Sequence, residues 1–548
     1  MSPDEVVLLV QRLIDRLVRR LRLGPASPRN RRRLLIVQID GLSRAVLARG
    51  LATGRIPFLG HLLRRHGFRT VPMTAGMPTS TPAFQLALMY GARPDIPGFH
   101  YHDKRRRADI YFPRAGDAAF VETEQAGGRA GILRDGSAYG CVFGGGARNT
   151  LFSFTTITRP RGAGVMQIIS AFVVLGWVMV KSTLLSAIEL TRAGLRFVAD
   201  PVGESTRGWK WLGFKLGVSV WVRELFTLAA SRDLYRGVPA VYVNYLDYDV
   251  FAHAYGPRHP RAMASLRRID RSIHQLWRVV RRLPECGYDL YVLSDHGQVE
   301  CVPYQELSGG IPFARRLFDD LGQAGAAETA GSLPSSDTRL RNGLSAFRSR
   351  RTPGLLQRFV NHLEDGVPWL VGQLPKAYER GGVRVVVAGP NAFVYFVDSP
   401  EPLTVEEIDR RFPGLADDLS RSRGVGFVLA RSGAGPVCLW QGKRHVLDRD
   451  EPGPFAGRED AGLVVQGIRD LVGMPSAGDL IVYGNGSPDG NVSYLREVGA
   501  HAGPSREEIE TFVVVPPGVS VPSPITHPRE LYAHFIAYDE QQGEDRRR

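Results

Sequence analysis

The stretch LLIVQIDG, residues 34–41, is an apolar run broken only by Gln38 and closed by Asp40 and Gly41. A short run of this kind, bounded by a turn signal, reads as a strand buried on both faces, as parallel strands are. Working outward, Ala240–Leu246 is a second run and ends near Asp247. Tyr288–Leu293 is a third, followed by Ser294, Asp295, His296 and Gly297. Thr511–Val515, stopped by Pro516 and Pro517, reads as a late strand. Helical stretches alternate with these runs, so the expected class is α/β, with a mostly parallel central sheet flanked by helices. In such sheets ligands gather beyond the carboxyl ends of the strands. The first three runs end in, or lead into, Asp or Asp-His.

A chain of 548 residues holds one large core with insertions, or two to three domains. Hydrophobic residues at 43% and charged residues at 23% exclude a disordered or fibrous chain. The formal net charge of +15 favours anionic partners such as phosphoesters or acidic lipid surfaces, although an Arg-rich composition alone gives the same number. No nucleic-acid partner is expected. Cys141, Cys286, Cys301 and Cys438 form no CxxC pair and suggest neither a disulfide framework nor a thiolate metal site.

The organisation expected from these patterns places parts of a catalytic core at 31–160, 236–303 and 461–535. An amphipathic N-terminal helix is expected at 1–30, where Val6, Val10, Leu13, Leu17 and Leu21 alternate with arginines. It reads either as lying on an anionic membrane or as docked on the core. No uninterrupted apolar run follows a short basic start, so a cleaved secretory signal is not expected, and the placement read from the sequence is cytoplasmic or membrane-associated. Residues 161–235 read as an apolar helical insertion. Gly162–Val180 is uncharged and long enough to cross a bilayer, and 211–230 is a weak return span because it carries Lys215, Arg223 and Glu224. Membrane contact and a buried helix pair both fit. An insertion with a Ser/Gly/Thr/Arg-rich linker is expected at 304–382, a small α+β cap at 383–460 with a helix near 404–421, and a disordered tail at 536–548.

Four motifs carry chemistry. In VNYLDYDVFAHAYGP (243–257), Asp249 and His253 stand four apart, which on a helix brings carboxylate and imidazole to one point. Surface pairs of this kind are also common without a metal. In YVLSDHGQ (291–298), Asp295 and His296 follow a strand, and a capping turn explains them equally well. In QIDGLS (38–43), Asp40 ends the first strand, where Asp before Gly is often turn chemistry alone. In GMPTSTPAFQLALMYG (76–91), Thr79, Ser80 and Thr81 precede a helix expected to start at Pro82. A hydroxyl there faces backbone N–H groups that favour a phosphate.

Taken in order, these motifs resemble the alkaline phosphatase superfamily, and more closely its type I phosphodiesterase/nucleotide pyrophosphatase branch. The matching stretches are QIDGLS, MPTSTPAFQLALMYG, YDVFAHAYGP, LYVLSDHG and VGAHAGPSREEIETFVVVP, and they run from about residue 33 to 530. The resemblance implies two divalent metal ions, zinc or else manganese. It implies that Asp40, Thr81, Asp295 and His296 hold one, and Asp249, His253 and His501 the other. Thr81 would be the nucleophile, through a phospho-threonine intermediate. Asp247 competes with Asp249, but the spacing to His253 favours the latter. The implied activity is hydrolysis of a phosphodiester or pyrophosphate, on a lipid-linked or nucleotide substrate. The alternatives are a phosphomonoesterase or phosphomutase of the same superfamily, or a non-catalytic basic membrane-binding protein. A sulfatase does not fit, because CVPYQ at 301–305 lacks the arginine that motif needs.

Overall fold

The computed structural model describes residues 32–151, 165–199, 217–320, 329–330, 377–447 and 451–545. The N-terminal helix expected over 1–30 lies outside the described residues, as does the part of the 304–382 insertion at 321–376 apart from Thr329 and Ala330, the Ser/Gly/Thr/Arg-rich linker at 328–353 included.

The central sheet contains β1 (Arg33–Ile39), β2 (Arg69–Thr74), β3 (Ser137–Tyr139), β4 (Asn149–Leu151), β5 (Ala240–Tyr245), β6 (Tyr288–Leu293) and β7 (Glu510–Val515) in the spatial order β2-β7-β6-β1-β5-β3-β4. Only β7 runs against its neighbours, so the sheet is mostly parallel, as expected. β1 lies between β5 and β6, with Gln38 level with Asn244 on one side and Leu293 on the other. The chain segments leaving β1, β5 and β6 therefore emerge along one edge, which is what brings the site residues together.

The pleat of β1 sends alternate side chains to two cores. Leu34 and Ile36 pack with Phe84, Leu88 and Met89 of α1 (Thr81–Tyr90). Leu35, Val37 and Ile39 face a second cluster. That cluster includes Phe226 and Leu234 of α3 (Arg223–Arg236), which follows α2 (Val165–Ala199) and a π-helical turn at Gly217–Val222, and Phe251 of α4 (Asp247–Tyr255). It also takes Leu266, Ile269, Ile273 and Leu276 of α5 (Pro260–Arg281), an apolar stripe at helical spacing that opens with Pro260 at its first position.

A second sheet is antiparallel throughout. Its strands run Thr329–Ala330, Ala377–Arg380, Val383–Val387, Asn391–Phe396, Leu480–Tyr483, Phe427–Ser432, Gly435–Trp440 and Lys443–Val446. The cap expected at 383–460 therefore draws an interior strand from beyond its boundary, Leu480–Tyr483. The helix expected near 404–421 is two, Val405–Arg411 and Leu415–Arg421, separated at Gly414 with φ +79°.

Two further expectations are corrected. The tail expected to be disordered from 536 is helical to Asp545 in α6 (Glu530–Asp545), where Phe535 is buried and the Tyr538 hydroxyl donates to Asp289 at 2.6 Å. The weak return span at 211–230 is, from Arg223 on, a core helix. Arg223, Glu224 and Asp233 are buried and α3 packs under the sheet. Among the described residues no helix is long and apolar enough to cross a membrane. No disulfide joins any of the four cysteines.

Candidate metal centre

Gly41, two residues beyond the end of β1, takes φ +73°, and a Cβ there would stand 2.6 Å from the Asp249 carboxylate. A side chain at this turn would push Asp249 away from Asp40, so glycine is what lets the two strand ends close on each other. Asp40, Asp295 and His296 bring donor atoms within 4.8 Å of one another, all three buried. Asp249, His253 and His501 do the same beside them. The two groups share a wall. The His296 and His501 rings stack with centroids 3.7 Å apart, and His501 Nε2 lies 4.0 Å from Asp249 Oδ1.

Thr81 is the first residue of α1, one position earlier than the expected start at Pro82, with Ser80 as its cap. Its Oγ1 lies 3.4 Å from Asp40 Oδ1 and 3.2 Å from His296 Nε2. The free amides of the first turn and the helix dipole favour an anion in front of this hydroxyl. Thr79 is committed elsewhere, accepting from the Ala502 amide and donating to the Gly503 carbonyl. Asp247 is likewise accounted for, since it pairs with buried Arg223 at 2.8 Å. The structure thus brings all seven expected residues to one place and sets Asp247 apart.

Each imidazole is held by its Nδ1. That of His253 faces the Gly499 carbonyl at 2.8 Å and Glu497 at 2.9 Å. That of His501 faces the Thr79 carbonyl at 2.8 Å, and that of His296 faces the Gly297 carbonyl at 3.1 Å. Nε2 of all three is left for the cluster, the arrangement by which outer hydrogen bonds fix a metal-binding tautomer. The carboxylates are oriented too. Asn244 donates to Asp40 Oδ2 at 2.6 Å, and Gln298 donates to the carbonyl and carboxylate of Asp249.

Burial, then the charges of Asp295 and Asp249, push the Asp40 carboxyl well above the usual range. Burial lifts Asp295 to about 6. Burial also holds His296 down at about 4 and His501 at about 3. In Asp249 burial is outweighed by the imidazoles of His253, His501 and His296, and the carboxyl is lowered. His253 is raised by Asp249 and Glu497 against the effect of its own burial. The result is crowded carboxyl groups beside the neutral imidazoles of His296 and His501. Asp295 Oδ2 is buried without a hydrogen-bond partner. An orphaned buried acceptor is costly, and a divalent cation between these groups would satisfy it. Oxygen and imidazole donors without thiolate suit zinc or manganese.

Sequence reasoning missed Asn244, Gln298, Glu497 and Glu508. Asn244 had a signal, an amide inside a buried strand, and Gln298 follows the Asp-His-Gly turn. Glu497 and Glu508 had none. Buried Glu508 accepts from Gly503 N, Ser505 N and Asn485, fixing the loop that carries His501, and burial raises its carboxyl to about 7.

Fold and site together define a mixed α/β protein with paired carboxylate–imidazole clusters at the carboxyl edge of a mostly parallel sheet. Residues 199–328 match the family model for Type I phosphodiesterase / nucleotide pyrophosphatase, and that segment carries Asp249, His253, Asp295 and His296. Within that segment the match agrees with the resemblance read from YDVFAHAYGP and LYVLSDHG. Two solved structures of phosphonoacetate hydrolase from Sinorhizobium meliloti 1021, in complex with phosphonoformate and with phosphonoacetate, share 14% identity with the chain. In each case 94% of this chain and 97% of the other are covered, at a TM-score of 0.45. No curated protein matches significantly.

Proposed function

We propose that the protein is a two-metal phosphoester hydrolase acting on phosphodiester or phosphoanhydride bonds, with Thr81 as nucleophile. The observation that carries this reading is the position of the Thr81 hydroxyl, at a helix N-terminus and 3.2 Å from His296 Nε2 at the edge of the cluster. The family match over residues 199–328 supports the bond class. Asp40, Thr81, Asp295 and His296 would hold one cation, and Asp249, His253 and His501 the other. The bound cations would supply positive charge that lets an alcohol ionise near neutral pH and neutralises charge developing on the phosphate.

In the reaction, Thr81 Oγ1 attacks phosphorus and the P–O bond to the leaving group breaks, an alcohol from a diester or a phosphate from an anhydride, which departs with the proton Thr81 gave up. Water then displaces Thr81 from phosphorus, releasing the phosphate product and restoring the hydroxyl. The first-turn amides of α1 orient the non-bridging oxygens. The deciding experiment pairs metal analysis of the purified protein with hydrolysis of bis-p-nitrophenyl phosphate. Thr81→Ala should lose about a thousandfold in kcat while keeping its metals. Equal turnover by both proteins would remove the nucleophile assignment, and neither metal nor turnover would remove the enzyme reading. Parallel assays on a nucleotide diester and a lipid-linked phosphodiester separate the two substrate classes.

A further inference from the structure

Ala502, the residue after His501, takes φ +119°. Among the described residues Arg107, Asp135 and Gln441 also have positive φ, but at 51–60°, inside the left-handed helical region. Ala502 stands well beyond that region. At its angle the Cβ of an L-residue eclipses the preceding peptide carbon, and glycine is the residue that adopts such a backbone freely. A conformation of this kind persists only where the surroundings impose it. Here they grip both sides of the residue. The Ala502 amide donates to Thr79 Oγ1 at 2.9 Å, and its carbonyl accepts from the Tyr483 hydroxyl at 3.2 Å.

Thr79 does more than receive that amide. Its hydroxyl donates in turn to the Gly503 carbonyl at 3.1 Å, and its own carbonyl faces His501 Nδ1 at 2.8 Å. One buried residue thus meets three consecutive residues, 501 to 503. It stands two positions before Thr81, in the segment that leads into α1. Tyr483 comes from the second sheet, so the loop carrying His501 is held between that sheet and the nucleophile segment. A threonine or serine hydroxyl can accept and donate at once, as the arrangement requires, whereas valine has the shape of threonine and can do neither.

We infer that Thr79 is a positioning residue for the cation assigned to Asp249, His253 and His501. Its hydroxyl holds the strained Ala502 backbone in the form that places His501 Nε2 4.0 Å from Asp249 Oδ1. The inference rests on the two-cation reading above, and Thr79 acts through His501 without touching the cation. Without the hydroxyl, the Ala502 amide is buried and unpaired, and the backbone relaxes towards an ordinary φ, carrying the adjoining histidine with it. The bond from Nδ1 to the Thr79 carbonyl survives any change of the Thr79 side chain. What is lost is therefore the placement of the ring, not its tautomer.

The test is titration of the full-length protein with zinc against a competing chromogenic chelator, read as two affinities and needing no turnover. Thr79→Val should hold the zinc of Asp249, His253 and His501 at least about tenfold more weakly. The zinc of Asp40, Thr81, Asp295 and His296 should be unchanged, which also reports that the variant is folded. Thr79→Ser should stay within about threefold of wild type, because it keeps the hydroxyl. The decisive variant combines Thr79→Val with Ala502→Gly. Glycine takes φ +119° without being held, so the weakened affinity should return to within about threefold of wild type. Thr79→Val binding both ions as wild type does overturns the inference and leaves the two-cation reading standing. A loss equal for both ions, or one that Ala502→Gly leaves uncorrected, also overturns it, since Thr79 would then serve the fold at large. Wild type binding fewer than two zinc ions overturns the inference together with the reading it rests on.

Discussion

His296 and His501 lie face to face, their rings 3.7 Å apart and 16° from parallel, one leaving the end of β6 and the other on a loop just before β7. The stack couples the two halves of the site through a side chain with no apolar run beside it to announce it. His501→Ala should leave the Asp40, Asp295 and His296 group intact. Metal analysis should show about one ion per chain lost, and diester hydrolysis should fall at least about a hundredfold. Two ions retained at full activity would show that His501 holds nothing.

Glu497 meets His253 Nδ1 at 2.9 Å, on the side away from the cluster. Glu497→Gln keeps the shape but removes the charge that makes the imidazole a stronger donor. Competition with a chelator should show the second metal held about 10- to 100-fold more weakly, with the first unchanged. A merely structural role would weaken neither metal selectively.

Removing the metals should make stability depend on pH in a defined direction. The Asp295 carboxyl, at about 6 in the fold, lies above its unfolded value. Its contribution is present at low pH and lost as pH rises through 6, where the carboxylate must ionise while buried. Cations bind the ionised form, so zinc should raise Tm by several degrees, and by more at pH 8 than at pH 5. Scanning fluorimetry of chelator-treated protein across that range measures it. A zinc effect that is flat with pH would contradict the assignment of Asp295.

At Gly41, alanine would need a left-handed backbone and would put Cβ 2.6 Å from Asp249 Oδ1. Gly41→Ala should cost about 1–3 kcal/mol in stability and displace Asp249, so activity should fall together with metal content. Loss of stability alone, with both metals kept, would mean that the turn relaxes elsewhere.

Arg223 is buried with two carboxylates, Asp247 and Glu224. Burial lowers its pKa, but the two anions more than reverse that and the guanidinium stays charged. Arg223→Met strands Asp247 without its nearest cation and should destabilise by about 3–5 kcal/mol in chemical denaturation. Adding Asp247→Asn should recover part of the loss.

The central sheet was legible because parallel strands covered on both faces leave near-continuous apolar runs, and their polar ends mark the edge where Asp40, Asp295 and His296 stand. Asp249 and His253 were legible as a helical pair. His501 was reached only through the family resemblance, since a lone histidine among glycines has no periodicity to place it. Leu480–Tyr483 fell in the 461–535 stretch expected to belong to the catalytic core; nothing in four apolar residues says which sheet they join, because pairing with Asn391–Phe396 and Phe427–Ser432 is decided at long range. Helix α6 was missed because the charged terminal run dominates the reading, whereas Phe535 and Tyr538 secure it to the body.

The interior position of Leu480–Tyr483 has a consequence for how the polypeptide can be divided. Excised at 383–460, the smaller lobe would lose the strand that joins Asn391–Phe396 to Phe427–Ser432, and each of those bare margins is a template for pairing with another molecule. That fragment should aggregate on expression, whereas one extended through Tyr483 would carry its own seam closed.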